Sequence, residues 1–392
     1  MRTRTGRWTG LLAAMALLLA AIATPKRDPA HAAQDPESRA VLTRGFARGA
    51  LDHRAIGALA ISPSGVLFFA DDQAGAIYGV DLDESRGHAS RFARVPDLGS
   101  VVAARLGTTV AGIQIRDAVV SPLSGITYLS VRKLDGADQN PANPANYALF
   151  AVSPDGSVTP VDLRDRRFGR VAIQGRPAYR AGQNETRIIS DIAYARGRLL
   201  VAALSTEGFQ SNLYSVAVPF RQDGVAAHAT SIYHVSHRRQ ETASPIQTLT
   251  IYRDADRDYL IAAYVCTPVV RFDLDDLAPG QVVTGTTVAE LGSGNRPADM
   301  IAYGKPGAQS LLLNNSVFGV MKVDARIARE REAVNEKTAA DRGPRGSRPY
   351  PGLEVVEPLR GAKAYAAWGD ESLLVVKPTA GGDLALEPMP LP

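Results

Sequence analysis

Three aspartates stand at the same place in three copies of a short repeated segment: Asp117, Asp191 and Asp299. The segment is a run of small, β-prone residues, and its six copies are 56–63, 115–122, 189–195, 246–252, 297–303 and 363–368. In the other three copies the same place is taken by Ala58, Thr248 and Ala364. If the six segments line one axis, the three carboxylates form a ring around it.

Such a ring has two chemical interpretations. Hard cations such as Ca²⁺ prefer several oxygen ligands, so three aspartates with nearby amides predict a site for Ca²⁺ or another divalent cation. Alternatively, each carboxylate accepts hydrogen bonds from backbone N–H groups of the neighbouring segment or pairs with an arginine, as buried carboxylates must. The residue pattern alone leaves both interpretations open.

More polar residues flank these segments and the loops that share an end with them. The candidate ligand-binding residues are His53, Arg54, Asp72, Arg116, Arg132, Glu185, Arg187, Glu207, Asn295, Arg296 and Asn314. A guanidinium fork suits carboxylate or phosphate, so the arginines predict an anionic ligand. The alternative is that they only offset the aspartates.

The elements that must position these residues are β-strands. Each repeated segment precedes a more apolar strand, and the repeat of roughly 40–50 residues is typical of a β-propeller. We expect an all-β, six-bladed propeller whose first blade is 56–62, 66–70, 76–82 and 89–95. The last blade supplies only three strands, and we expect an N-terminal strand at 41–47 to join it and close the ring. Long loops gather at one end and tight glycine turns at the other, so a site is expected at the loop-rich end.

Residues 1–32 have the pattern of an export signal. Three arginines precede an apolar stretch from Trp8 to Ala23, and an A-x-A site ends at Ala32. The mature chain, 33–392, is then one domain that is periplasmic or secreted, with no membrane span after processing. The export signal at 1–32 accounts for the entire formal net charge of +4. Residues 33–392 have a net charge of zero, which gives no indication of nucleic-acid binding.

Other reactive residue types have weaker patterns. The single cysteine, Cys266, excludes an internal disulfide, and a lone cysteine is usually a small buried hydrophobe. The histidines at 228, 234 and 237 match no metal signature, so we expect them on a solvated surface. The charged insertion 326–350 predicts a solvated excursion, with contact to a partner as the alternative.

The runs 56–71 and 76–81 resemble six-bladed propellers of the NHL and gluconolactonase-like (TolB-like) superfamily. In gluconolactonase-like enzymes one Glu, two Asn and one Asp hold a divalent cation in the channel. The resemblance implies that Asp299 matches the Asp and that Asn184 or Asn295 matches an Asn. The expected acidic ligand of the first blade is replaced by Ala58, which departs from the family pattern.

Three functions follow as hypotheses. The first is an exported propeller that binds a small polar or anionic ligand, or another exported protein, through its loop-rich face. The second is a metal-dependent hydrolase of lactonase or esterase type with a cation in the channel. The third is an accessory subunit of an exported enzyme, docked through 326–350.

Overall fold

Six β-sheets surround a central channel in the computed structural model. The structure describes residues 37–87, 89–135, 140–173, 188–204, 211–235, 238–242, 244–254, 257–265, 268–278, 281–291, 294–324, 329, 334 and 352–392. The all-β, six-bladed propeller predicted from the repeats is confirmed. The export signal, Glu185, Arg187, Glu207 and Cys266 lie outside the described residues.

The first two blades each contain a predicted inner strand. Blade one, from its outer to its inner edge, is β1 (Ala47–Gly49), β9 (Arg166–Ala172), β4 (Ala76–Asp81), β3 (Val66–Asp71) and β2 (Leu59–Ile61). Blade two is β5 (Ile113–Val120), β6 (Thr127–Lys133), β7 (Tyr147–Val152) and β8 (Val158–Pro160). Two helices accompany them, α1 (Arg39–Leu42) and α2 (Leu98–Leu106).

The remaining blades follow the predicted order along the chain. Blade three is β10 (Ile189–Ala195), β11 (Arg198–Leu204), β12 (Ser211–Ala217), β13 (Val225–His234) and β14 (Arg239–Glu241), with β18 (Val282–Thr284) beside β13. Blade four is β15 (Ile246–Arg253), β16 (Asp258–Tyr264), β17 (Pro268–Asp273) and β19 (Thr286–Glu290). Blade five is β20 (Pro297–Tyr303), β21 (Ser310–Asn315), β22 (Gly319–Val323) and β23 (Leu353–Val355). Blade six is β24 (Ala364–Trp368), β25 (Ser372–Pro378) and β26 (Leu384–Pro390).

The order of the blades around the ring differs from their order along the chain. In the described part of the chain, six buried apolar clusters fill the spaces between blades, and each cluster joins two blades. Blade two packs against blade six through Leu129 and Val376, whereas blade one packs against blade three through Phe68 and Tyr194. The spatial order is therefore two, one, three, four, five, six, so the first two blades exchange places.

The exchange explains why the prediction for blade one was partly wrong. The chain leaves blade one after β4, builds blade two, and then returns with β9 as the fourth strand. The predicted strand 89–95 instead buries Phe92 and Val95 in the cluster between blades two and six. Strand β9 at 166–172 was not among the four strands predicted for blade one.

The predicted closing strand at 41–47 was also wrong. Residues Arg39–Leu42 form α1, and Leu42 is fully buried in the cluster between blades one and three. The short strand β1 pairs with β9 in blade one, not with blade six. Blade six has three strands among the described residues, and Val95 covers its outer edge by a two-way backbone pairing with Leu386, at 2.8 and 2.9 Å.

The junction of β4 and β9 depends on two glycines. Gly79 and Gly169 face each other in register, and the ring of Phe46 lies over them. A Cβ atom at position 169 would stand 2.5 Å from the Phe46 ring, well inside contact distance. The aromatic ring therefore takes the volume that two side chains would otherwise fill.

Two described residues of the insertion 326–350 contact the propeller. Val334 is 3% exposed, and its N–H donates to the carbonyl of Thr287 at 2.8 Å. Arg271 donates to the carbonyl of Arg329. The expectation of a solvated excursion is wrong at Val334, which belongs to the core between blades four and five. Within the described part of the chain, no helix is both long enough and apolar enough to cross a membrane.

Candidate functional site

A repeated β-bulge turns the predicted aspartates toward the channel. The innermost strands β5, β10, β15 and β20 each slip in register at the same step, which inserts one extra residue. The residue after that step is Asp117, Asp191, Thr248 or Asp299. Bulges commonly re-aim side chains in this way. The three aspartates all line the channel, as the repeat alignment predicted.

The channel has a wide and a narrow section that meet at the three carboxylates. The wide section is about 250 Å³, is lined by aliphatic and polar residues together, and reaches Arg253 and Gln309. The narrow section is about 30 Å³ and is lined by Gly57, Ala58, Arg116, Asp117, Ser190, Asp191, Ala298 and Asp299. A volume of that size admits a water molecule or a single ion.

Two of the aspartates hold adjacent blades together. Asp117 accepts the backbone N–H of Leu59 in blade one at 2.6 Å, and Asp191 accepts that of Leu249 in blade four at 2.8 Å. Asp191 also accepts from the hydroxyl of Thr248 at 2.7 Å. Asp117 and Asp191 therefore have the structural role that was one of the two interpretations, since their carboxylates accept hydrogen bonds from the neighbouring blade.

Asp299 differs from the other two. Its carboxylate has no hydrogen bond to blade six among the described residues; instead the Tyr365 hydroxyl donates to the Asp299 backbone carbonyl at 3.2 Å. Burial and the charge of Asp191 raise the pKa of Asp299 to about 7. Burial, with the charges of Asp299 and Asp191, raises the pKa of Asp117 well above its usual range. The ring thus holds protons near neutral pH, and Asp299 is its least constrained member.

The cation set implied by the gluconolactonase resemblance does not form among the described residues. No group of three or more His, Cys, Asp or Glu side chains is arranged there to hold a metal ion. Ala58 offers no ligand, and the Asn295 amide donates to the Leu291 carbonyl at 2.8 Å, away from the residues that line the narrow section. Asn184 lies outside the described residues.

At the loop-rich end of the channel, Arg116 crosses from blade two to blade one. Its guanidinium contacts Asp72 Oδ2 at 2.5 Å and donates to the Ile56 carbonyl at 3.0 Å. The Arg116 side chain is 10% exposed and that of Asp72 only 1%. Arg116 is the extra residue of its bulge, which explains why its side chain points across the blade boundary.

Two arginines flank one aromatic ring beside this ion pair. The guanidinium carbon of Arg116 is 5.6 Å from the centre of the Tyr147 ring, and that of Arg132 is 5.9 Å from it. Strand pairing explains the position of Tyr147, because Arg132 on β6 and Tyr147 on β7 are directly opposite each other. Its hydroxyl donates to the Pro141 carbonyl at 2.7 Å. Tyr147 was not among the predicted site residues; its place at the start of a strand opposite Arg132 was the available signal.

Two polar atoms of this group have no hydrogen-bond partner within the described residues. They are Asp72 Oδ1 and Arg132 Nε, and both are buried. A buried polar atom without a partner costs about 1–3 kcal/mol, so such atoms call for a physical explanation. We define Asp72, Arg116, Arg132 and Tyr147 as the mouth cluster.

The other predicted site residues lie around this cluster or apart from it. The His53 ring packs on Phe69, and the exposed Arg54 donates its backbone N–H to Asp71 at 2.7 Å. Arg296 is exposed and Asn314 half-buried, opposite Asp299 on β21. At the mouth, the carboxylates of Asp71 and Asp72 and the guanidinium of Arg116 are buried, whereas Arg54 and Arg296 are exposed.

The predicted surface histidines are instead buried where the structure describes them. His228 and His234 are each 1% exposed. His234 lies between two carboxylates, with Nδ1 2.9 Å from Glu241 and Nε2 3.5 Å from Glu290. Because these carboxylates lie at opposite nitrogens of one ring, the arrangement suits a charged imidazolium rather than a metal ion. It joins blade three to the outer strand of blade four.

Comparison with known proteins leaves the family open. No family model and no curated protein matches the chain. Virginiamycin B lyase from Staphylococcus aureus is similar in structure, with a TM-score of 0.36 and 11% identity over 86% of this chain and 96% of the lyase. A PQQ-bound aldose sugar dehydrogenase from Streptomyces coelicolor has a TM-score of 0.33 and 13% identity, over 87% of this chain and 97% of the dehydrogenase. A chain of a nidogen/laminin complex has a TM-score of 0.33 and 13% identity, over 69% of this chain and 94% of that chain. Matches at this level assign no activity.

Proposed function

We propose that the protein recognises a small polar anion at the mouth cluster, outside the cytoplasm as its leader predicts. The observation that carries this proposal is the pair of guanidinium groups at the end of the channel: Arg116 is held by Asp72 and the Ile56 carbonyl, and Arg132 beside it has a buried Nε without a partner among the described residues. A charge fixed in place before binding loses little freedom when a ligand arrives, and preorganisation of this kind favours affinity.

Arg132 supplies the second feature of the proposed site. Asp72 already offsets the charge of Arg116, whereas among the described residues no carboxylate lies within ion-pair distance of Arg132. The exposed Arg54 and Arg296 add to the positive potential at the same end. Carboxylates and phosphates match a guanidinium fork, so an anion is the ligand that this surface favours.

Thermal melting in the presence of sodium propionate tests the proposal, with sodium chloride at equal ionic strength as the reference. We expect propionate to raise the Tm of the wild type and to have no effect on Arg132→Gln. The control variant is Arg221→Gln, an exposed arginine paired with Asp223 on blade three, which should keep the wild-type response. An equal propionate response in Arg132→Gln and wild type would overturn the assignment to the mouth cluster.

A lactonase or esterase is the second candidate function, and Asp299 as a general base is the observation that favours it; the metal-dependent form would need cation ligands beyond the described residues. A pKa of about 7 suits a general base near neutral pH, and this carboxylate has no cross-blade hydrogen bond among the described residues. Elemental analysis after dialysis, a melt with EDTA, and a lactone and ester screen test this candidate. Hydrolysis that Asp299→Asn abolishes would support it; activity unchanged in that variant would contradict it.

A further inference from the structure

We infer that the ligand of the mouth cluster is a small hydroxy acid, with a hydroxyl next to its carboxylate; this rests on the proposed function. The inference comes from two unsatisfied atoms of opposite polarity in one cluster. Asp72 Oδ1 lacks a donor and Arg132 Nε lacks an acceptor among the described residues. A simple anion satisfies only the second of these atoms.

Asp72 Oδ1 needs a hydrogen-bond donor from the ligand. Its Oδ2 is occupied by Arg116, so an ionised carboxylate leaves Oδ1 as an acceptor only. Gly57 lines the narrow section of the channel, and a Cβ atom there would stand 3.3 Å from Asp72 Oδ2. Asp72 Oδ2 therefore lies close to Gly57, and a methyl group at position 57 would crowd the Asp72 carboxylate.

Arg132 Nε needs a hydrogen-bond acceptor from the ligand. The Nε edge of a guanidinium receives two carboxylate oxygens side by side, and this geometry is the strong form of the pairing. Arg132 is half-buried and lies against Tyr147, and its buried Nε is the atom that a ligand carboxylate would satisfy. Tyr147 keeps its proton, since burial and the charge of Asp72 raise its pKa.

Charge balance selects among ligands that offer both groups. Asp72 and Arg116 neutralise each other, which leaves one positive charge on Arg132. A monoanion with a neutral donor completes the balance. An amino acid zwitterion would leave that charge unmatched, and a phosphate dianion would exceed it. A hydroxy acid therefore fits the cluster best.

Calorimetric titration with three molecules of the same carbon frame tests the inference: lactate, propionate and propane-1,2-diol. We expect lactate to bind at least about tenfold more tightly than propionate, and the diol not to bind. In Asp72→Asn the affinity for lactate should fall to that for propionate. Gly57→Ala, which places a methyl group 3.3 Å from Asp72 Oδ2, should lower the affinity for lactate more than the affinity for propionate, and it serves if Asp72→Asn fails to fold.

The outcomes separate this inference from the proposal beneath it. Equal affinities for lactate and propionate, both lost in Arg132→Gln, would overturn the hydroxy-acid inference and leave anion recognition intact. An absence of binding by all three molecules, together with no propionate-dependent change in Tm, would overturn both. A preference for lactate that persists unchanged in Gly57→Ala and Asp72→Asn would also contradict the role given to Asp72.

Discussion

The carboxylate of Asp191 in blade three accepts the backbone N–H of Leu249 in blade four at 2.8 Å. Asp117 and Leu59 repeat this bond between blades two and one at 2.6 Å. The residue before each aspartate adds a second link, because Arg116 donates to the Ile56 carbonyl and Ser190 to the Ile246 carbonyl. The aspartate column is therefore partly a set of inter-blade hydrogen bonds, and Asp299 is its exception.

Asp191→Ala should destabilise the fold. The change leaves the Leu249 N–H and the Thr248 hydroxyl without their acceptor, which costs about 1–3 kcal/mol. Urea denaturation measures the free energy of unfolding, with Asp370→Ala, an exposed aspartate in a turn, as the control. Equal losses in the two variants would show that the cross-blade bond contributes nothing specific.

Asp299→Ala should have the opposite effect at alkaline pH. Its folded-state pKa of about 7 exceeds the ordinary value of 3.8, so the native state holds the proton more tightly than the unfolded state. The wild type then loses stability as pH rises from about 4 to about 7, and the variant escapes this loss. At about pH 8 we expect Asp299→Ala to be more stable than wild type by about 1–3 kcal/mol. Parallel stability curves for the two proteins would contradict this.

The His234 cluster predicts a second pH dependence. Burial alone would lower the pKa of His234, but Glu290 and Glu241 outweigh burial and raise it. The stabilisation is then full below about pH 6.5 and is lost as pH rises through the raised folded-state pKa. From about pH 6 to pH 9, wild type should lose more stability than His234→Gln, as measured by urea denaturation at each pH. The charged groups around His234 include Arg239, which is 2.9 Å from Glu241. Equal losses in both proteins would argue against a charged imidazole.

Gly169→Ala tests the exchanged strand of blade one. The added methyl group meets the Phe46 ring, and overpacking of this kind costs about 1–3 kcal/mol. Gly381→Ala is the matched control, because the nearest atom to its new Cβ is Thr379 Oγ1 at 3.9 Å. Thermal melting should show a lower Tm for Gly169→Ala only. If both variants melt like wild type, Phe46 does not pack over Gly169.

Local patterns predicted the hairpins of the blades, because each β-strand pair is close in sequence and joined by a turn. The glycines at 65, 156, 197 and 307 adopt the positive φ angles that such turns need. The aspartate column was predictable for the same reason, since it follows from superposing six copies of one segment. The bulges that orient Asp117, Asp191 and Asp299 leave no mark in hydrophobic periodicity.

Long-range pairings were not predictable. Strand β9 is mostly half-exposed and lacks a clear alternation, so nothing local links it to β4 across the whole of blade two. The burial of His234 depends on β13 running past its pairing with β12 to meet β14. The mouth cluster likewise joins Asp72 of blade one to three residues of blade two. The predicted list contained Asp72, Arg116 and Arg132 but not their contact with Tyr147.

The most direct test of anion recognition is to locate a bound anion. Crystals soaked with 3-bromopropionate would reveal the bromine position by anomalous diffraction. The account predicts a peak beside Arg132 and Tyr147, with the carboxylate on the Arg132 guanidinium, and no such peak in Arg132→Gln. A peak only in the wide section near Arg253 and Gln309, or no peak in crystals of the wild type, would contradict the assignment of the site to the mouth cluster.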